Sequence, residues 1–246
     1  MFFHIGRYTT MLSFLFVRPE KFSSYWNRLI EEIIQLGIKS LFMVVLMSAF
    51  MGAVLVIQTA SAIESAWIPD YTVGFTVKQT LILEFCPTII SLILAGKVGS
   101  NIASELGTMR VTEQIDALEV MGVNSIGYLI GPKILGSLFI FPVLIMYSMF
   151  FGFLGGWALC FLTDIIPIEQ YLMGIQSFSY ENYEYIRYAL IKTVFFAFII
   201  TSVSSYFGYY TSGGALEVGR QSTKAVVYSS ILILMFNVLL TQLLLS

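Results

Sequence analysis

The sequence predicts an all-α integral membrane protein, with an N-terminal amphipathic interfacial helix followed by five transmembrane helices. Hydrophobic residues make up 57% of the 246 residues and charged residues only 11%, whereas soluble domains carry about 25% charged residues. Five apolar stretches are long enough to cross a bilayer, which takes about 20 residues. Basic residues concentrate on one side of these stretches, which predicts a cytoplasmic N-terminus and an external C-terminus.

The first predicted element is an amphipathic helix over residues 21–36. Apolar side chains recur there at helical spacing, and charged and amide side chains fill the other face. This pattern is typical of a helix that lies in the membrane surface. Packing of the helix on the rest of the protein is the alternative. We therefore expect an N-terminal segment over residues 1–38 and a membrane domain over residues 39–246.

The five apolar stretches follow in order along the membrane domain. Pro87 lies inside the second stretch and predicts a kink there. The third stretch is long enough to tilt in the membrane or to extend beyond it. The predicted spans cover approximately residues 40–63, 79–105, 130–163, 188–209 and 225–245.

The distribution of basic residues predicts the orientation of these spans. Ten of the 13 lysines and arginines lie before the first span or around the second and fourth connections. The remaining three are Lys78, Arg187 and Lys192. The positive-inside rule then places the N-terminus in the cytoplasm, and five spans place the C-terminus outside. The third connection, residues 164–184, is predicted to be an external loop.

Several classes of function lack their residues in this sequence. The net charge of −2 comes without a basic patch, which argues against nucleic-acid binding. No phosphate-binding loop of the G-x-x-x-x-G-K-[ST] type is present, so we expect no ATP hydrolysis by that route. The single histidine, His4, argues against a Ser–His hydrolase, and Cys86 and Cys160 form no metal-binding spacing. We expect no catalytic residue, no metal site and no cofactor.

Two segments, one at the cytoplasmic end of the second span and one directly after it, carry more specific patterns. Small residues four apart make one helix face that permits close approach of another helix, either between subunits or within the chain. Gly99, Ala103 and Gly107 lie four apart, and so do Gly96, Ser100 and Ser104. Residues 109–122 then read as a short amphipathic helix that Gly122 ends. Its charged side chains are Arg110, Glu113, Asp116 and Glu119.

Two polar residues inside the spans are candidates for a substrate site. Glu84 lies near the outer end of the second span, where a carboxylate is costly unless it meets water, a lipid head or a partner group. A polar spot in a substrate cavity and a position at the aqueous interface both explain it. Gln58, in the outer half of the first span, is a weaker candidate of the same kind.

With these motifs the sequence resembles the MlaE (YrbE-type) permease family. Residues 94–124, LAGKVGSNIASELGTMRVTEQIDALEVMGVN, match the family signature almost throughout, and residues 52–58 and 211–230 are also similar. The resemblance implies a permease of the bacterial inner membrane that forms a homodimer. It also implies two cytoplasmic ABC ATPase subunits bound at the helix of residues 109–122, and a periplasmic ring of an MCE-domain protein. The implied cargo is phospholipid, or a related lipid, moved between the inner membrane and the MCE-domain protein to maintain outer-membrane lipid asymmetry.

The family pattern can be compared with single residues of the first and second spans. Family members often have Arg-Glu-x-Gly-Pro near the outer end of that span. Here Glu84 and Pro87 match, but Leu83 stands in place of the arginine and Cys86 in place of the glycine. Lys78, one or two turns earlier, is a possible substitute for the arginine. The other positions that the resemblance assigns to a lipid cavity are Leu55, Gln58, Ile63 and Phe85.

The sequence thus predicts a transport subunit that is not an enzyme, with ATP bound by a partner. The acidic residues Glu113, Asp116 and Glu119 match the coupling helix of the family. Three alternatives remain open: a secondary lipid carrier that works without an ATPase, a membrane-embedded lipid enzyme, and a structural anchor for other subunits.

Overall fold

The computed structural model describes residues 2–15, 22–63, 68–163, 165–177 and 179–245. Arg18, Lys21 and Asp164, which entered the sequence predictions, lie outside these ranges. The described residues form helices and connections, with no strand among them. We number the helices α1 (Phe2–Phe14), α2 (Phe22–Ala62), α3 (Tyr71–Val111), α4 (Gln114–Val120), α5 (Ser125–Thr163), α6 (Ile168–Gln176), α7 (Ser179–Tyr209) and α8 (Ala215–Leu245).

Five of these helices are long and apolar enough to cross a membrane, which confirms the predicted number of spans. They are α2, α3, α5, α7 and α8. All five begin earlier than predicted: α3, for example, begins at Tyr71 rather than near residue 79, and α8 at Ala215 rather than near residue 225. Hydropathy marks only the apolar middle of a helix, whereas the backbone hydrogen bonds continue through polar residues at its ends. The orientation of the spans stays a prediction.

Helix α2 joins the predicted amphipathic helix and the first span into one element. It runs without interruption through the predicted boundary between residues 38 and 39, and that division into domains stays a prediction. The only glycine near the boundary, Gly37, lies against α5, where an added Cβ would come within 2.5 Å of Ile140 Cγ1. Close packing against a neighbouring helix thus accounts for the glycine that the sequence places inside α2.

Helix α3 contains two π-helical segments, Leu81–Ile89 and Ala95–Gly99. The predicted kink at Pro87 therefore takes the form of a wider turn in the first segment. Proline has no N–H, and its ring clashes with the carbonyl four residues earlier in a regular α-helix. A π-helical turn relieves that clash, and such turns occur frequently at functional sites.

The chain divides into two compact units. The first unit comprises Met1–Ser40, Leu92–Phe141 and Val194–Ser246. Helix α1, which the sequence did not predict, packs within this unit through the fully buried Met11. Tyr8 donates a hydrogen bond of 2.8 Å to Ser202, and exposed His4 lies 2.7 Å from the Tyr206 hydroxyl. Burial raises the pKa of Tyr8 above its ordinary value, and the bond to Ser202 opposes that rise.

The second unit comprises Leu41–Ser91 and Pro142–Thr193. Its helices α2 and α5 approach so closely that a Cβ on Gly52 would overlap the carbonyl oxygen of Gly152. Helix α6, which lies inside the predicted external loop, packs on the start of α3, where Gly74 meets Gly174. Small residues thus allow backbone contact in place of side-chain packing, as is common between membrane helices.

Candidate functional site

The second unit contains an ion pair between two of its helices. The ammonium of Lys192 on α7 lies 2.9 Å from Glu84 Oε1 on α3. The Lys192 side chain is 0% exposed, whereas the Glu84 side chain is 44% exposed. Thr88 donates a hydrogen bond to the second oxygen of Glu84 at 3.1 Å. The carboxylate is therefore the accessible member of the pair, and the ammonium is held behind it.

Lys192 also compensates for the irregular backbone around Pro87. In a regular α-helix the carbonyl of Leu83 would accept a hydrogen bond from residue 87, which proline cannot donate. The Lys192 ammonium lies 3.4 Å from that carbonyl oxygen and donates a second hydrogen bond of 2.6 Å to the Tyr188 hydroxyl. One buried cation thus neutralises a carboxylate and occupies a backbone acceptor, as a polar group inside a membrane protein requires.

Lys78, the candidate substitute for the missing arginine, lies beside α6, and that role stays a prediction. Its side chain is 1% exposed, and its ammonium donates a hydrogen bond of 2.5 Å to the carbonyl of Ser177, just after α6. A cation is favourable at the C-terminal end of a helix, where carbonyl groups lack intrahelical partners. Among the described residues, Lys192 is a cation that contacts Glu84, and the charge pattern identified it only as a basic residue on the external side.

The other cavity candidates differ in exposure. Phe85 is buried, Leu55 and Ile63 are half-buried, and Gln58 is exposed. They do not line either groove that we describe: one of about 530 Å³ along α6, and one of about 350 Å³ beside α4. Their assignment to a lipid cavity stays a prediction.

In the first unit, α4 is a short helix whose position and C-terminal end are set by specific contacts. Ile115 is fully buried and anchors its apolar face. Gly122 has φ +78°, and its N–H bonds to the carbonyl of Glu119 while the N–H of Val123 bonds to that of Leu118. These two bonds form a Schellman motif, which confirms Gly122 as the end of the helix. Glu113 precedes the helix at φ +60°.

Most of the charged side chains of this segment have partners within the chain. Arg110 Nη1 lies 2.6 Å from Asp116 Oδ1. Glu119 Oε1 accepts hydrogen bonds of 2.9 Å from both Ser125 and Tyr209. Glu113 and Glu119 are nevertheless exposed, and the Asp116 side chain is 49% exposed, so the role of this acidic face in binding an ATPase stays a prediction.

The exposed surface of this segment includes two large apolar side chains beside the acidic residues Glu113 and Glu119. Val120 is 89% and Met121 68% exposed at the far end of α4. The helical spacing of apolar residues does not predict their exposure. Val120 ends the helix and Met121 follows it, and neither lies on the face that Ile115 buries. The polar groove of about 350 Å³ lies beside Glu113 and is bordered by Arg7, Arg110, Asp116 and residues 210–213.

The predicted small-residue face is used mainly within the chain. A Cβ on Gly99 would come within 2.8 Å of Ser204 Oγ, and one on Gly107 within 3.0 Å of Val218 Cγ1. Ala103 is fully buried and lies against Gly208. Gly96 has no such neighbour within 4 Å. Three of the four residues thus allow helices of the first unit to approach each other, and an intersubunit role stays a prediction.

Among the residues that the structure describes, no group of three or more His, Cys, Asp or Glu side chains could hold a metal ion.

Comparison with known proteins gives one consistent result. A family model described as Permease MlaE matches residues 29–243. A probable ABC transporter permease protein of Rickettsia bellii is 37% identical over 219 residues, which cover 89% of this chain and 83% of the relative. Another from Synechocystis is 32% identical over 214 residues, covering 87% and 80% respectively. The chloroplastic protein TRIGALACTOSYLDIACYLGLYCEROL 1 of Arabidopsis thaliana is 32% identical over 205 residues, which cover 83% of this chain and 58% of that protein.

Proposed function

The chain belongs to the MlaE family of ABC transporter permeases, and from that premise we propose that its cargo is a membrane phospholipid. It is a multi-pass membrane protein, and the bacterial inner membrane is the compartment that fits. In the proposed cycle, ATP hydrolysis by a separate ATPase dimer drives lipid between this membrane and a ring of a periplasmic MCE-domain protein. The purpose of that transport is to maintain lipid asymmetry in the outer membrane.

The observation that supports this cargo best is the pair of Glu84 and Lys192. Burial of the ammonium and exposure of the carboxylate create a compact polar spot with no net charge among apolar helices. A molecule with a small polar head and long apolar chains matches such a surface, because its head finds hydrogen-bonding groups while its chains stay in apolar surroundings. The name of the Arabidopsis relative is that of a galactolipid, which also favours a lipid cargo.

We propose that two copies of the chain enclose the lipid. Large apolar side chains on one face of α2 are exposed in the single chain, among them Phe50, Val54 and Ile57. In the membrane such a face meets lipid tails or another helix. A second copy would leave the half-buried Leu55 and the exposed Gln58 beside an apolar space, in the positions that the family resemblance assigns to a cavity.

The ATPase contact that we propose is the exposed part of α4. Asp116 and Glu119 hold this helix to its neighbours, so that a force applied to it passes into α3, α5 and α7. Glu113, Val120 and Met121 are among the exposed groups that a partner can contact. An apolar tip beside a charged group resembles the centre and rim of a protein interface.

The lipid that copurifies with the intact transporter tests the cargo. We expect mass spectrometry to find phospholipid bound to the wild-type complex. We expect about tenfold less in the Glu84→Gln and Lys192→Met variants, because a hydrogen bond to a charged group contributes roughly 1.5 kcal/mol or more. Arg187→Met is the matched control, since it removes an exposed cation from the same helix. Phospholipid absent from the wild-type complex, or retained by both variants at the wild-type level, contradicts the proposal.

A further inference from the structure

A second buried lysine joins three helices in the first unit. Lys133 on α5 lies 2.6 Å from Glu32 Oε1 on α2 and 2.9 Å from Glu105 Oε2 on α3. The Lys133 side chain is 2% exposed, whereas the two carboxylates are 16% and 36% exposed. A single ammonium therefore holds α2, α3 and α5 together at one level of the bundle.

The carboxylate oxygens of this cluster do not all have a hydrogen-bond partner among the described residues. The cluster carries two carboxylates and one ammonium, and the second oxygen of Glu32, Oε2, is buried with no hydrogen-bond partner among the described residues. Buried polar atoms in folded proteins are nearly always hydrogen-bonded, so an exception calls for an explanation. An arrangement with a spare acceptor stabilises the present positions of the helices less than a closed network would. It is therefore suited to helices that change position.

The helices on either side of Lys133 are the ones that hold α4. On α3, Arg110 follows Glu105 by five residues and binds Asp116 of α4. On α5, Ser125 precedes Lys133 by eight residues and donates a hydrogen bond to Glu119 of α4. Eight helical residues span about 12 Å, and five about 7.5 Å. A displacement of α4 thus reaches the Lys133 cluster by two short, rigid paths.

We propose that Lys133 is a positioning residue that makes α2 follow the ATP-driven movement of α4. The inference rests on the proposed function, because it takes the ATPase to act on α4. In this arrangement α3 and α5 move with α4, and the bond from Lys133 to Glu32 carries the movement to α2. Helix α2 is continuous from Phe22 to Ala62, so that movement of its first half displaces the segment that holds Leu55 and Gln58.

The variant that tests the inference is Glu32→Gln. It leaves the Lys133–Glu105 pair in place and removes the carboxylate whose second oxygen has no partner, so the protein should still fold and assemble. Glu31→Gln is the matched control, because Glu31 is the exposed neighbour on the same helix. Lys133→Arg, which keeps the charge and the donors, should retain function in the same assay.

The first readout is the amount of lipid moved per ATP hydrolysed by the reconstituted transporter. We expect Glu32→Gln to lower this ratio by about tenfold, within the range typical of coupling between sites, while the yield of complex and the ATPase rate stay close to wild type. A purely structural role would instead lower transport and ATP hydrolysis together, in proportion to the yield. An unchanged ratio, or such a proportional loss, overturns the inference.

A second readout does not depend on the cargo. Spin labels on Ile38→Cys and Met121→Cys, both exposed positions in the first unit, report the distance between α2 and the end of α4. We expect ATP to change that distance in the wild-type complex by a different amount from that in Glu32→Gln. If the wild-type complex moves no lipid but the two distances differ, the proposed cargo is wrong and the role of Lys133 stands. Equal distance changes in both proteins refute that role.

Discussion

Glu84 on α3 and Lys192 on α7 are 108 residues apart in the sequence, and their charged atoms lie 2.9 Å apart in the structure. The two members of the pair differ in their access to solvent. The ammonium is completely buried, and the carboxylate is nearly half exposed. Removing one charge therefore has a different consequence from removing the other.

Glu84→Gln should destabilise the protein more than Lys192→Met. The glutamine leaves a buried ammonium without its carboxylate, which costs roughly 3 kcal/mol. The methionine leaves a carboxylate that is partly exposed at the surface of the chain, at a cost of about 1 kcal/mol. Thermal unfolding of the purified protein in detergent measures both effects.

The double variant Glu84→Gln/Lys192→Met tests the effect of removing both charges of the pair. It should be close to wild type in stability, because replacing a whole buried pair is often neutral. Glu184→Gln, which breaks an exposed pair on α7, should change stability by less than about 0.5 kcal/mol. Equal losses in the two single variants would show that burial does not set the energetics of this pair.

Charge reversal at the start of α4 should release the ATPase. Glu113→Lys places a cation on the exposed surface that we assign to the partner, and Asp116→Lys also breaks the bond to Arg110. Replacement of a charge in the contact of two proteins commonly costs 2 kcal/mol or more, about a thirtyfold loss of affinity. Copurification of the ATPase with the double variant measures this loss.

Glu184→Lys on α7 is the control for that experiment, because the predicted topology places it on the other side of the membrane. Its yield of copurified ATPase should equal that of the wild type. A wild-type yield from the Glu113→Lys/Asp116→Lys double variant would refute the role of α4 as the ATPase contact.

Gly52→Ala should destabilise the protein strongly. The new Cβ would overlap the carbonyl oxygen of Gly152, which forces α2 and α5 apart and costs roughly 3 kcal/mol in packing. Gly219→Ala is the matched control on α8, where nothing lies within 4 Å of the added atom. That change should stabilise its helix by up to about 1 kcal/mol. Equal unfolding temperatures of the two variants would contradict the close contact.

Cysteine labelling tests the predicted orientation. Met121→Cys at the end of α4 and Met173→Cys on α6 are both exposed positions, whereas the native Cys86 and Cys160 are buried and give little background. With the N-terminus in the cytoplasm, a membrane-impermeant thiol reagent added outside spheroplasts should label residue 173 and spare residue 121. The reverse pattern would invert the topology and remove α4 from the reach of a cytoplasmic ATPase.

The spans could be predicted from the sequence because hydropathy is a local property. Long apolar stretches reveal membrane helices without any knowledge of their neighbours, and the C-terminal signal of α4 at Gly122 is equally local. Helix α1 gave no such signal, because it is too short to span the membrane and is held by single contacts, such as that of Tyr8 with Ser202.

The ion pairs could not be predicted, because they depend on contacts between residues that are far apart in the sequence. Glu84 stood out as a charge inside a span, but its contact with Lys192 depends on the register of α3 against α7. Lys133 likewise appeared only as a basic residue that flanks a connection. Its two carboxylate partners lie 101 and 28 residues away, and spacing within one helix says nothing about contacts across three.

The central claim is that this chain is a lipid gate driven by a separate ATPase, and transfer of labelled phospholipid in proteoliposomes tests it most directly. We predict transfer to the MCE-domain protein only when the chain, its ATPase and hydrolysable ATP are all present, with loss of transfer in Glu84→Gln. Transfer by the chain alone, without the ATPase, would identify a secondary carrier. The appearance of a chemically altered lipid would identify an enzyme, and either result would contradict the account.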